Sequence, residues 1–71
     1  MTTKTFREGM FLLRDCYRNF ILPDEREGKT WLEILGLDIS DEEFIPLIKQ
    51  YCRTEPVPTC PADLINFKLK Q

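Results

Sequence analysis

The segment Glu55-Pro56-Val57-Pro58-Thr59-Cys60-Pro61-Ala62-Asp63-Leu64-Ile65-Asn66 sets three prolines within six residues and then turns apolar. Pro56 and Pro58 hold the chain extended, because each ring fixes φ and steers the preceding residue away from helical angles. An isolated Pro-x-Pro of this kind also suits a polyproline ligand. The residues after the prolines separate the two readings. Ala62, Leu64, Ile65, Phe67 and Leu69 are apolar and need a surface to bury against. Thr59 or Cys60 can cap a helix whose first turn accepts Pro61, since backbone N–H groups there lack internal partners anyway. The prolines therefore read as a stiff elbow that returns a short last helix, about residues 61–69, to the core.

Upstream of the elbow, Ser40-Asp41-Glu42-Glu43 has the form of a capping box, and Ile39 and Phe44 flank it as a hydrophobic staple. This predicts a helix over about residues 41–53, burying Phe44, Leu47, Ile48 and Tyr51. Pro46 lies inside it, where a kink is expected because one backbone hydrogen bond is lost. Asp24 opens an earlier helix, about 25–35, with Glu27 at the capping-box position. Its apolar positions are Trp31, Ile34 and Leu35, with Leu32 beside them, and Trp31 is expected to be the largest core side chain. Gly28 suggests close approach of another helix, and Gly36 a left-handed stop.

Thr5-Phe6-Arg7-Glu8 predicts a further capping box and a first helix over about residues 5–20. At ~100° per residue, Phe6, Met10, Leu13, Tyr17 and Phe20 fall within about 80° of arc, a buried stripe. Lys4, Arg7, Arg14 and Arg18 occupy a neighbouring arc with Phe11 among them. That arc reads either as a solvated basic flank or as a contact surface for an acidic partner, and these five residues are the candidate partner-binding set. A second candidate surface is acidic, around Asp24 to Glu27 and Asp38 to Glu43. The elements together predict an all-α fold, a small single-domain bundle of about four helices.

Composition limits the chemistry. The chain has 71 residues, so it buries only roughly 60% of its unfolded surface and forms a modest core. It contains no histidine, and Ser40 is its single serine, so no Ser-His-Asp or Cys-His arrangement can be assembled. Gly9, Gly28 and Gly36 are scattered and make no phosphate-cradling loop. Cys16, Cys52 and Cys60 form an odd set without CxxC spacing, which predicts free thiols packed as small apolar groups and no zinc site. No catalytic residue, metal or cofactor is expected, and no small-molecule substrate. No apolar run approaches the ~20 residues of a membrane span, and the amino terminus lacks a signal peptide's apolar stretch.

Net charge is −2 but uneven: residues 1–20 carry +2, residues 21–43 carry −6 and residues 44–71 carry +2. The acidic middle would repel a nucleic-acid backbone, whereas a protein partner can meet either sign.

The order of these features resembles a known family. An aromatic-ended first helix (Tyr17-Arg18-Asn19-Phe20) leads to Trp31-Leu32-Glu33-Ile34-Leu35, then to a helix ending Lys49-Gln50-Tyr51-Cys52, and finally to Pro58-Thr59-Cys60-Pro61-Ala62-Asp63-Leu64-Ile65. Over about residues 10–66 this is similar to the N-terminal helical domain of phage-encoded loader/inhibitor proteins of the replicative DNA helicase. The resemblance implies a non-enzymatic replication protein acting in the cytoplasm of a host bacterium. Its expected partners are the ring-shaped helicase and the phage origin-binding initiator, and it would load the helicase, inhibit it, or both. Members of that family carry a charged tail after the folded domain, whereas this sequence ends Lys68-Leu69-Lys70-Gln71, so no helicase-contact residue carries over. Outside the resemblance, the residues also suit a small helical DNA-binding regulator with a basic first helix. A phage inhibitor of an unrelated host protein fits them equally, and an enzyme would have to work from carboxylates and thiols alone.

Overall fold

Phe6, Met10 and Leu13 recur at helical spacing. In the computed structural model, which describes residues 1–71, they form the buried face of α1 (Thr3–Cys16). The chain continues through α2 (Glu25–Gly36), α3 (Asp41–Thr54) and α4 (Pro61–Leu69), and the fold is all-α. α1 packs on α3, α3 on α4 and α4 on α2, while α1 and α2 make no comparably close backbone approach. α1 and α3 run parallel. At their starts the Thr2 N–H donates to Asp41 Oδ1 at 2.7 Å, and at their ends the Tyr17 hydroxyl donates to the Glu55 carbonyl at 2.8 Å.

Twelve buried apolar residues from all four helices and their connecting turns make one core. Phe44 is its largest fully enclosed side chain, with Leu13, Leu35, Ile39, Ile48 and Leu64 sealed around it. Trp31 is not that centre. It is half-buried, edge-on to Phe20 with ring centroids 6.2 Å apart and tilted against Phe6 at 6.3 Å. α2 meets the rest of the bundle mainly through α4, so its buried stripe narrows to Leu35, and Ile34 stays 40% exposed.

The first helix starts and stops earlier than its sequence suggests. Thr2 is the cap, its hydroxyl oxygen accepting from the Thr5 N–H at 3.2 Å, so Thr5 is already inside the first turn and no Thr5/Glu8 box forms. The helix ends at Cys16 rather than near Phe20 because Tyr17 takes extended angles (φ −126°, ψ 112°) and a turn follows at Arg18-Asn19. Tyr17 and Phe20 are buried all the same, which is why spacing alone extends the helix over them. Tertiary bonds from Tyr17 to α3 outweigh local propensity here.

The other starts follow the sequence closely. Asp24 and Glu27 exchange both capping-box bonds, at 3.0 and 2.8 Å. The Ser40 N–H donates to Glu43 Oε1 at 2.8 Å, and the staple residues Ile39 and Phe44 are both buried. α3 runs unbroken through Pro46, which lies on its exposed side. Gly36 ends α2 without a left-handed backbone. The turn closes instead through the Asp38 and Ile39 N–H groups, both of which donate to the Leu35 carbonyl.

The proline elbow is held from inside. The Tyr17 hydroxyl bonds the Glu55 carbonyl, the Tyr51 hydroxyl donates to the Val57 carbonyl at 3.3 Å, and Thr59 is buried. Cys60 then caps α4 with Pro61 in its first turn. Leu64 is sealed in the core and Phe67 packs edge-on against Tyr51 at 5.3 Å, whereas Ala62 and Leu69 face solvent. At its far end Lys68 reaches back to the Asp38 carbonyl and to Glu43 Oε1, the latter at 2.7 Å.

Candidate protein-binding site

Because α1 leans on α3 and α2 leans on α4, a groove of about 550 Å³ opens between α1 and α2. Met10 and Phe6 supply its floor from α1, and Leu32 and Leu22 supply its far wall. Charges of both signs rim it, Arg7 and Lys29 against Asp24 and Glu25. Phe11 stands on the lip, 51% exposed, so covering it would remove further aromatic surface from water. The arrangement can accept an apolar side chain from another macromolecule and orient it by the flanking charges.

The structure divides the sequence-predicted set. Arg7 and Phe11 line the groove, while Lys4, Arg14 and Arg18 are exposed but do not line it. Arg18 falls in the turn beyond the helix and leaves the α1 surface. Leu22, Leu32 and Lys29 also belong to the site, although the sequence pattern does not single them out as partner-binding. Leu32 sits beside Trp31 and off the buried stripe, which is the one signal in the sequence that could have marked it. The acidic candidate surface is divided: Asp24 and Glu25 line the α1/α2 groove, whereas Asp38, Asp41, Glu42 and Glu43 border a second, shallower depression of about 420 Å³, with Leu37 beside it 85% exposed.

The strongest perturbations of titratable groups lie away from the groove. The hydrogen bond from Lys68 holds the Glu43 carboxyl below its ordinary range, helped by the Ser40 N–H. Burial raises the Tyr17 and Tyr51 hydroxyls above theirs and pushes the Cys52 thiol up to about 12. Of these, Tyr17 ties the end of α1 to α3 and Glu43 ties α3 to α4, while the Tyr51 hydroxyl holds the elbow. The cysteines also depart from the sequence reading, since Cys16 and Cys60 are exposed and only Cys52 is partly covered. No helix is long and apolar enough to cross a membrane. Comparison with protein-family models, with curated proteins and with solved structures returns no match for this chain.

Proposed function

We propose that this chain is a non-enzymatic protein-binding module of a phage replication system, which docks on the replicative helicase or on the initiator that receives it. The half-exposed Phe11 on the lip of the α1/α2 groove, with Arg7 beside it, carries the reading of a binding module. Aromatic and arginine side chains at the mouth of an apolar pocket are the residue types that dominate protein interfaces. The class of partner is supported by the sequence resemblance, and the mechanism is occupation of a helicase or initiator surface.

The test is direct capture. Purified replicative helicase and origin-binding initiator, each incubated with this chain at tens of micromolar, should give a complex by native mass spectrometry. The absence of a complex with both would remove the replication assignment. A salt-dependent shift of duplex DNA would instead favour the DNA-binding regulator.

A further inference from the structure

Cys16 closes α1 and Cys52 lies in the last turn of α3, on the two helices that run parallel. Bonded pairs across this seam are 39, 34 and 38 residues apart (Thr2–Asp41, Tyr17–Tyr51, Tyr17–Glu55), and Cys16 and Cys52, 36 apart, fall within that register. At ~100° per residue, Cys16 lies about 70° from the centre of the buried face of α1, and Cys52 about 90° from that of α3. The two rotations have opposite sense, so in a parallel pair both thiols flank the seam on the same side. Their neighbours are already in contact there, the Tyr17 and Tyr51 rings at 6.3 Å. The Cys16 thiol adds to the rise that burial causes at Cys52. Cys16 is open to solvent, so a reagent can reach the pair.

We infer that Cys16 and Cys52 form a reversible disulfide that locks the end of α1 to the end of α3 when the chain meets a low-molecular-weight disulfide. The Cys16 thiolate attacks one sulfur of the reagent, whose S–S bond breaks and releases one thiolate. The Cys52 thiolate then attacks Cys16 Sγ and expels the second. The cysteines are oxidised, the reagent is reduced to two thiols, and those thiols take up the two protons the cysteines lose. Deprotonation of Cys52 limits the second step, so closure quickens as pH rises. Cys60, on the elbow side of α4, has no such partner and stays a single thiol or a mixed adduct.

The test uses the full chain and oxidised glutathione. Mass spectrometry of the product should show the loss of two hydrogens and, after digestion, a Cys16–Cys52 linked peptide. The melting temperature should rise by about 10 °C or more, since the bond closes a long loop in the unfolded chain. Cys16→Ser, at an exposed position, should keep the reduced chain's melting temperature and lose the oxidation-dependent rise. Glutathione adducts on both Cys16 and Cys52 without linkage, a link involving Cys60, or a linked chain that melts no higher than the reduced one would each overturn the inference.

Discussion

Gly9 faces the ring of Phe44 so closely that a methyl group on its Cα would overlap Cε2 and sit 2.8 Å from Cζ. Helix propensity alone favours alanine over glycine by about 1 kcal/mol, but Phe44 is fully enclosed and cannot move aside. Gly9→Ala is therefore expected to destabilise by roughly 1–3 kcal/mol. Gly28→Ala, where the new carbon would lie 3.6 Å from Phe6, and Gly36→Ala, which meets nothing, should stabilise by a few tenths to about 1 kcal/mol. Urea unfolding of the three variants reads the signs, and the same sign at all three positions would contradict the packing described here.

Tyr17 is the hinge pin between α1 and the elbow. Removing its hydroxyl leaves the Glu55 carbonyl without its 2.8 Å donor, while the Tyr51 carbonyl keeps the Glu55 N–H at 2.8 Å. Tyr17→Phe should cost about 1–2 kcal/mol in chemical denaturation. Amide exchange should accelerate in the elbow from Glu55 to Thr59 more than in α2.

The pH dependence of stability should carry the signature of Glu43. Its folded-state pKa is depressed, so the unfolded chain binds the proton more readily and stability rises with pH through the titration. The contribution is fully present above the ordinary glutamate pKa of about 4.3 and disappears as pH falls below it. Glu43→Gln should lower the melting temperature at pH 7 and flatten its decline below about pH 4. Parallel curves for the two proteins would place the acid sensitivity elsewhere.

The starts of α2 and α3 were legible in the sequence because capping is local: the bonds at Asp24/Glu27 and the Glu43 bond to the Ser40 N–H depend on residues three apart. The start of α1 was not, because Thr2 caps it ahead of the Thr5/Glu8 pair. The elbow and α4 were legible because apolar residues after the prolines had to be buried. Long-range packing was not. Which glycine meets a ring, where α1 ends and how deeply Trp31 sits depend on residues tens of positions away, as Gly9 and Phe44 show. The site was half legible for the same reason. Arg7 and Phe11 stood out from α1's pattern, but the wall from Leu22 to Leu32 exists only because α2 leans toward α4.

Phe6 and Phe11 are both aromatic residues of α1, yet they should answer truncation differently. Phe6 is 6% exposed and packs on Phe44 and Trp31, so Phe6→Ala should cost about 3–5 kcal/mol. Phe11→Ala should leave the thermal midpoint within a degree or two, as befits a ring half in solvent. Differential scanning calorimetry of the pair reads the contrast.

The role assigned to the α1/α2 groove meets its most direct test in the affinity of folded Phe11→Ala and Arg7→Ala for the helicase or initiator, measured by interferometry beside the unaltered chain. Each should bind at least about tenfold more weakly, a loss of about 1.4 kcal/mol or more, with no change in melting temperature. Unchanged affinity in both, with binding lost instead on neutralising Asp41 and Glu42, would move the interface to the acidic surface and contradict the assignment.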